Sequence, residues 1–333
     1  GVNMLKGIFI LNEKVADKVY GSRIRDEIEK YVDCIEKVYN KESIRQNLDI
    51  LNDIEVIFSG WGGPKLDEEL LRAAPNLRVI FFGGGSIKRY VTDEFWDRKI
   101  LITSAYAANS VAVSEYTLSQ ILFCLKKGWY FAERTKKERK FEKFDIIPGI
   151  YGTTVGIVSL GMIGRRVCGL LSSFDVNIIA YDPYISDETA KELGVELCRL
   201  DEIFERGDVV SLHSPWLKET EGMITGKHFS SMKANASFIN TARGAVVREQ
   251  EMIDVLKERT DIQAVLDVTY PEPPEQNSPL YTMPNVVLTP HIAGSSFNEC
   301  ERMGKYMVEE LERYIHGKPL KWQMVKEITT IIA

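Results

Sequence analysis

The sequence predicts an α/β fold with two parallel sheets, each covered by helices. Short apolar runs alternate with charged, helix-patterned segments over nearly the whole length, which is typical of βαβ units. These runs form two series, separated by one long, mostly apolar helical segment at 110–127. A chain of 333 residues is also longer than one core usually serves, so we expect two domains.

Composition and charge exclude several classes of protein. The formal net charge is −6, so the chain has no basic footprint and we expect no nucleic-acid partner. No apolar run approaches the roughly 18 residues that span a bilayer, and the N-terminus lacks a secretory pattern. We therefore expect a cytoplasmic protein that binds no membrane. The five cysteines form no C-x-x-C and no cluster with histidine, so we expect reduced thiols and no metal site.

The first series alternates predicted strands with predicted helices. Ile24, Ile28 and Val32 recur at helical spacing in the charged stretch after the first strand. Further helices are predicted at 67–74 and 93–96. The charged residues at 136–143 predict a solvated helix face or loop. The predicted strands are 7–11, 54–58, 77–82 and 100–103.

The second series contains six predicted strands with helical crossovers, as a dinucleotide-binding Rossmann sheet requires. One of the helices is predicted at 250–257. A last helix, at 298–316, has an apolar face that we expect to pack on the first domain; its members are Met303, Met307, Leu311 and Tyr314. The predicted strands are 154–159, 176–181, 209–213, 237–240, 264–268 and 286–289.

The first strand of the second series runs into a glycine-containing turn that opens a helix. The usual dinucleotide fingerprint is G-x-G-x-x-G, and here Ser159 replaces the first glycine, which leaves the turn geometry open. Gly161 would let the backbone approach a pyrophosphate, and Gly164 would allow close packing of helix and strand. The amides of Met162 and Ile163 would bind the phosphates with help from the helix dipole.

The second strand of this series ends at Asp182, 182 − 161 = 21 positions after Gly161. A carboxylate about 20 residues along is placed to accept hydrogen bonds from the ribose hydroxyls. Its charge would repel a 2′-phosphate, so the sequence favours NAD over NADP. The alternative is an aspartate that only caps its own turn.

Of the four histidines, we expect His228 and His316 to be structural or exposed. His213 ends a strand at the carboxyl edge, where it would line the adenosine side of a cofactor. His291 follows the last strand and opens a turn of small residues, also at the edge where open α/β sheets bind ligands.

Two more strand ends carry charged residues. Arg243 follows one strand, and a planar guanidinium can bind a 2-oxo acid in bidentate fashion. Asp267 ends the next strand, and Glu272 lies in the proline-rich turn behind it. A carboxylate beside His291 would stabilise the protonated imidazole and fix its ring. Each residue alone fits a surface or capping role, but their occurrence at three successive strand ends favours an active site.

Together these segments resemble the D-isomer-specific 2-hydroxyacid dehydrogenase family. The resemblance implies an NAD-dependent oxidoreductase that interconverts 2-hydroxy and 2-oxo acids. It also implies that Arg243 positions the substrate, His291 is the acid–base, Glu272 is its partner and Asp267 holds the nicotinamide carboxamide. The matching stretches are 155–165, 212–215 with Glu219 and Thr220, 238–247, 267–273, 290–295, and the helix start at 109–115.

The resemblance further assigns the remaining contacts. The loop Gly83, Gly84, Gly85 and Ser86 matches the substrate-carboxylate loop, whose N–H groups would form an anion nest. Trp61 would pack on a carbon chain or close the pocket to large substrates. The expected cofactor contacts are Gly161, Met162, Ile163, Gly164, Asp182, His213, Pro215, Thr220, Thr241, Ala242, Arg243, Asp267, His291 and Gly294.

The architecture implied is a Rossmann NAD-binding domain at 108–296 and a flavodoxin-like α/β substrate domain at 1–107 and 297–333. The active site would lie in the cleft between them, and the protein would be a homodimer. An NAD(H)-sensing binding protein and an amino-acid dehydrogenase remain as alternatives. A formate dehydrogenase is disfavoured, since that subtype has Gln where this chain has Glu272. The lack of an arginine pair near Lys65 weighs against a phosphoglycerate substrate.

Overall fold

The computed structural model describes residues 4–331, and the chain divides into two units. The first unit comprises the residues up to Asn109 and those from Ser295 onward, and the second comprises Ser110–Gly294. Each unit is built on its own parallel sheet, which confirms the predicted α/β class.

Within residues 4–331, the first unit contains five strands. Their flanking elements are short helices and one 3₁₀ helix at Leu48–Asp53. In chain order the elements are β1 (Leu5–Ile10), α1 (Glu13–Val19), α2 (Ser22–Ile28), β2 (Val32–Tyr39), α3 (Lys41–Arg45), β3 (Val56–Ser59), α4 (Glu68–Ala73), β4 (Val79–Phe82), α5 (Asp93–Asp97) and β5 (Leu101–Ser104). The sheet order is β2-β1-β3-β4-β5, all parallel, which is the predicted flavodoxin-like order.

The helical pattern through Val32 was wrong at its last member. The helix α2 ends at Ile28, and Val32 begins the strand β2. This strand lies at the edge of the sheet and carries exposed charges, such as Asp33 and Glu36. Edge strands often carry charged side chains, which prevent pairing with other chains. Because of these charges, the β-branched and aromatic residues that pair with β1 did not form a recognisable strand pattern.

The described part of the second unit contains seven strands. Its 3₁₀ helices are Gly244–Val246 and Pro279–Tyr281. The helix α6 (Tyr106–Leu125) begins in the first unit and continues into the second. The elements that follow it are α7 (Gly128–Glu138), β6 (Thr154–Val158), α8 (Met162–Leu171), β7 (Asn177–Tyr181), α9 (Asp187–Glu192), β8 (Glu196–Leu197), α10 (Leu200–Arg206), β9 (Val209–Leu212), α11 (Gly226–Ser231), β10 (Ser237–Asn240), α12 (Glu249–Glu258), β11 (Gln263–Leu266) and β12 (Val286–Leu288). All six predicted strands are present, and the two-residue β8 was too short to predict.

The second sheet has the parallel order β12-β11-β10-β9-β6-β7-β8. The strand β6 lies between β7 and β9, so the chain reverses its direction of winding there. Open α/β sheets bind ligands outside the carboxyl ends of the strands at such a point. The turns that follow β6, β7, β9, β10, β11 and β12 all end at this edge.

The helix α13 (Asn298–Ile315) returns to the first unit and is followed by α14 (Lys326–Thr329). Its residues Met303, Met307 and Leu311 are fully buried, in one core with Phe9 and Phe58 of the first sheet. Burying such a side chain contributes roughly 1.5–3 kcal/mol, so this helix is part of the first unit's core. The expected packing of its apolar face is confirmed.

The predicted long helix begins four residues earlier than expected, at Tyr106, whose N–H donates to Ser104 Oγ. It ends before Lys127, which has a left-handed φ of +52°. The charged stretch at 136–143 is the exposed end of α7 and the loop behind it. Within residues 4–331, no helix has the length and apolar content that a transmembrane span needs.

Candidate active site and cofactor site

The turn between β6 and α8 has a left-handed backbone at Ser159, the position where the usual fingerprint has its first glycine. Ser159 has a φ of +77°, a left-handed conformation that favours glycine. Its N–H donates to Tyr181 O at 2.7 Å, and its Oγ lies 2.5 Å from Ser214 Oγ. A left-handed backbone costs a non-glycine residue roughly 1–2 kcal/mol. At Ser159 this cost occurs together with a side-chain hydrogen bond.

The glycines after Ser159 have the two geometries expected of a phosphate-binding turn. Gly161 is the exposed N-cap of α8, and nothing lies within 4 Å of the position that a β-carbon would take. A β-carbon on Gly164 would instead collide with Ser159 O, so helix and strand can approach only without it. The first-turn amides, those of Met162 and Ile163, have no acceptor in the helix itself. The turn therefore fits a pyrophosphate group.

Asp182 does cap its own turn. Its Oδ2 accepts a hydrogen bond from Leu160 N at 2.8 Å, and its Oδ1 accepts one from Tyr184 N at 2.9 Å. Each carboxylate oxygen has a second lone pair, so both can still accept a ribose hydroxyl. The capping alternative and the cofactor prediction are therefore compatible.

His213 is buried, and burial lowers its pKa to about 4. Its Nε2 lies 2.9 Å from Ser211 Oγ, whereas its Nδ1 has no hydrogen-bond partner in the part of the chain that the structure describes. The ring is therefore neutral near pH 7 and is unsuited to donating a proton. Nearby, Thr220 Oγ1 donates to Pro215 O at 2.5 Å, which closes the loop behind β9.

The side chains of His291 and Glu272 are hydrogen-bonded to each other at the carboxyl edge of the second sheet. His291 Nδ1 lies 2.5 Å from Glu272 Oε1, and both side chains are about half exposed. The backbone N–H of His291 donates to Asp267 O at 3.0 Å, and its φ is +54°. With Nδ1 held by the carboxylate, Nε2 is the nitrogen available for proton transfer.

The buried carboxylate of Asp267 holds the loop that carries His291. Its Oδ1 accepts hydrogen bonds from Ile292 N at 2.8 Å and from Thr289 Oγ1 at 2.6 Å. Its Oδ2 accepts one from Ala293 N at 2.9 Å. Sequence patterns did not indicate this bracing role, because two of its three partners are backbone N–H groups. The expected contact with the nicotinamide carboxamide stays a prediction.

The loop that carries Arg243 is held by the last residue of β10. Asn240 Oδ1 accepts from Ala242 N at 3.0 Å, and Asn240 Nδ2 donates to Arg243 O at 3.1 Å. Arg243 Nη1 donates to Ala242 O at 2.7 Å. A β-carbon on Gly244 would collide with the backbone of Thr269, so the two loops are in direct contact. Sequence analysis missed Asn240 and Gly244, although both lie in the matching stretch 238–247.

In the first unit, the loop after β4 leaves free only some of the amides that were expected to bind an anion. Gly83 N donates to Ser59 O at 2.8 Å, and Gly84 N donates to Phe82 O at 2.9 Å. The amides of Gly85 and Ser86 have no backbone or side-chain acceptor among the residues described. The anion nest would therefore use Gly85 and Ser86.

Two aromatic side chains shape this loop. The indole Nε1 of Trp61 lies 3.1 Å from the position of a β-carbon on Gly84, so the ring covers that glycine. Tyr20, which sequence analysis missed, lies beneath the loop, with its hydroxyl 2.8 Å from Ser59 O. Nothing in the sequence pattern distinguished Tyr20 from an ordinary core residue.

The other two histidines are structural or exposed, as expected. His228 is buried in α11: its Nδ1 accepts from Thr225 N at 3.0 Å, and its Nε2 lies 3.1 Å from Asp201 Oδ1. His316 is exposed at the end of α13.

Comparison with known proteins defines the class to which this fold and site belong. Residues 118–293 match the family described as D-isomer specific 2-hydroxyacid dehydrogenase, NAD binding domain. The chain belongs to this family, and NAD is the cofactor of its second unit. The open face of Gly161 and the free amides behind it fit that group.

Among curated relatives, the chain is similar to D-3-phosphoglycerate dehydrogenase of Archaeoglobus fulgidus, with 32% identity over 77% of this chain and 49% of that protein. It is also similar to glyoxylate reductase of Thermofilum pendens, with 33% identity over 80% of both chains. The chain thus spans about half the length of the phosphoglycerate dehydrogenases that it matches.

Solved structures show the same fold. D-mandelate dehydrogenase of Rhodotorula graminis, in its apo form, has a TM-score of 0.80 at 24% identity, covering 96% of this chain and 98% of that chain. The NAD-complexed D-isomer specific 2-hydroxyacid dehydrogenase of Lactobacillus delbrueckii ssp. bulgaricus has a TM-score of 0.79 at 22% identity, covering 96% and 100%.

Proposed function

We propose that this protein is an NAD-dependent dehydrogenase that interconverts a small 2-oxo acid and its 2-hydroxy acid. The observation that carries the proposal is the 2.5 Å pair of His291 and Glu272 at the carboxyl edge of the NAD-binding sheet. This pair supplies a proton donor, and the adjoining Arg243 loop supplies a group that binds an acid.

In the direction of reduction, bound NADH supplies the hydride that is transferred to C2 of the 2-oxo acid. His291, protonated and paired with Glu272, donates a proton from Nε2 to the oxygen that becomes the hydroxyl. The partner carboxylate offsets the positive charge on the ring before the proton moves. In the direction of oxidation, neutral His291 accepts the hydroxyl proton. Acid–base catalysis of this kind contributes typically about 10²–10⁴-fold.

Arg243 binds the substrate through its carboxylate or its C2 oxygen. Its guanidinium matches either arrangement because it offers two parallel N–H groups. In the first unit, we assign binding of the substrate carboxylate to the loop Gly83–Gly85 with Ser86, through the free amides of Gly85 and Ser86. Trp61 covers Gly84 and would restrict the length of the substrate side chain.

The cofactor contacts are those of the second unit's loops. The turn from Gly161 to Gly164 binds the pyrophosphate, and Asp182 accepts the ribose hydroxyls and disfavours a 2′-phosphate. The remaining contacts that we assign to NAD are His213, Pro215, Thr220, Thr241, Ala242, Asp267 and Gly294. Residues 108–296 would be the cofactor domain, residues 1–107 and 297–333 the substrate domain, and the protein would act as a homodimer.

The test follows the near-ultraviolet absorbance of NADH while glyoxylate, hydroxypyruvate, phosphohydroxypyruvate, pyruvate and longer 2-oxo acids are offered in turn. We expect NADH to be consumed with one clear preference, and NADPH to be consumed poorly. An NADH-binding protein, shown by fluorescence, that turns over none of these acids would contradict the proposal. Consumption that requires ammonia would identify an amino-acid dehydrogenase instead.

A further inference from the structure

Two adjacent residues of α6, Tyr116 and Thr117, each contact a loop that the proposed reaction uses. Tyr116 Oη lies 3.1 Å from Thr289 Oγ1, and Thr117 Oγ1 lies 3.1 Å from Thr241 Oγ1. Thr289 precedes the proposed acid–base residue by two positions, and Thr241 precedes the proposed substrate-binding arginine by two positions. A single turn of one helix is therefore bonded to both loops.

The direction of the first hydrogen bond follows from its neighbours. Thr289 Oγ1 lies 2.6 Å from Asp267 Oδ1, and an ionised carboxylate only accepts, so the threonine proton is donated to Asp267. Tyr116 must then donate to Thr289. Burial raises the pKa of Tyr116, and the charge of Asp267 acts in the same direction, so the phenol keeps its proton.

The chain of hydrogen bonds continues from Asp267 to the backbone behind His291. The two carboxylate oxygens accept from Ile292 N at 2.8 Å and Ala293 N at 2.9 Å. Tyr116 thus restrains the carboxylate that restrains the histidine loop.

The second contact is wholly buried. Thr117 is inaccessible, and Thr241 is 7% exposed. Thr241 follows Asn240, whose side chain already braces Ala242 and Arg243. The loop that carries Arg243 is therefore restrained twice, by Thr117 of α6 and by the side chain of Asn240 in the loop's own strand.

We propose that Tyr116 and Thr117 are separate positioning residues for two parts of one reaction. Tyr116, through Thr289 and Asp267, fixes the orientation of His291, and Thr117, through Thr241, fixes the loop of Arg243. The inference rests on the proposed function and adds to α6 a role that its apolar pattern did not indicate.

The two residues should affect different kinetic constants. Tyr116→Phe should lower kcat about three- to tenfold, the scale of one lost hydrogen bond, with KM for the 2-oxo acid little changed. Thr117→Val should raise KM for the 2-oxo acid about three- to tenfold, with kcat little changed. A merely structural role would lower the fraction of working enzyme and would not separate kcat from KM in this way.

Two variants of the same helix serve as controls. Thr117→Ser keeps a hydroxyl and should restore the wild-type KM. Ser114→Ala removes a buried hydroxyl that donates only to Ser110 O, at 2.6 Å within the helix, and should leave both constants unchanged.

All rates are referred to the concentration of NADH-binding sites, titrated by fluorescence. The inference is overturned if Tyr116→Phe and Thr117→Val behave as Ser114→Ala does, or if both change the same constant. A wild-type protein that binds NADH and reduces no 2-oxo acid overturns the proposed function itself, and the inference falls with it.

Discussion

Gly244 lies directly against the backbone of Thr269: a β-carbon at position 244 would collide with the Cα, C and O atoms of Thr269. Gly244 follows Arg243, and Thr269 lies between Asp267 and Glu272. The loop that we assign to substrate binding and the loop that carries the acid–base partner are therefore packed together without an intervening side chain.

Gly244→Ala should separate these loops. Because the obstacle is backbone rather than a flexible side chain, one of the two loops must move. We expect kcat/KM for the 2-oxo acid to fall about 10²-fold, the usual effect of a misplacement of about 1 Å. Gly169→Ala is the matched control, since a β-carbon there meets nothing within 4 Å. Equal activity of the two variants would show that the contact does not matter.

Replacing either His291 or Glu272 should affect turnover without removing NADH binding. His291→Gln should lower kcat by about 10²–10⁴-fold because no proton donor remains. Glu272→Gln should cause a smaller loss, since the imidazole keeps a hydrogen-bond partner but loses the opposite charge. Glu275→Gln, an exposed neighbour, is the control. Stopped-flow rates of NADH oxidation measure the effect, and near-normal turnover of His291→Gln would exclude it as the acid–base.

His213 should make the protein less stable in mild acid. Burial lowers its pKa from 6.5 to about 4, so between these values the unfolded chain binds a proton that the folded chain does not. Its contribution to stability is present above about pH 6.5 and is lost as pH falls toward 4, at about 1.4 kcal/mol per pH unit. Urea unfolding of the wild type and of His213→Asn at pH 7 and pH 5 measures this.

Between pH 7 and pH 5, the unfolding free energy of the wild type should fall more than that of His213→Asn. His316→Asn, at the exposed end of α13, controls for the loss of a histidine. Parallel pH dependence in all three proteins would contradict a buried neutral ring at position 213.

Ser159 combines a left-handed backbone with a hydrogen bond to Ser214, and two substitutions separate these effects. Ser159→Ala and Ser214→Ala should each lower the unfolding free energy by about 1 kcal/mol, since both lose the hydrogen bond. Ser159→Gly also loses the bond but relieves a conformation that costs roughly 1–2 kcal/mol, so its stability should equal or exceed that of wild type. A glycine variant as unstable as the alanine variant would contradict this account.

The strands and their carboxyl-terminal residues could be predicted because that information is local. The apolar run before Asp267 and the run before His291 each identify a strand, and parallel pairing then brings their ends to one edge. The edge strand from Val32 could not be predicted, because its charged residues resemble those of a solvated helix. The contact of Tyr116 with Thr289 joins residues 173 positions apart, and no sequence pattern connects them.

The amides of the glycine-rich loop illustrate the same limit. The sequence shows that Gly83, Gly84 and Gly85 permit a tight turn, but not which N–H groups the neighbouring strands already occupy. Ser59 O, from β3, accepts the N–H of Gly83, and only the assembled sheet reveals this. The amides that remain free are therefore those of Gly85 and Ser86.

In the role that we propose for Asp182, its two backbone hydrogen bonds link the choice of cofactor to the structure of the turn after β6. A side chain introduced there to admit a 2′-phosphate would also release the N–H groups of Leu160 and Tyr184. A change of cofactor therefore needs at least one further substitution that restores an acceptor for these N–H groups. Most variants changed at position 182 alone should therefore lose affinity for NAD without gaining affinity for NADP.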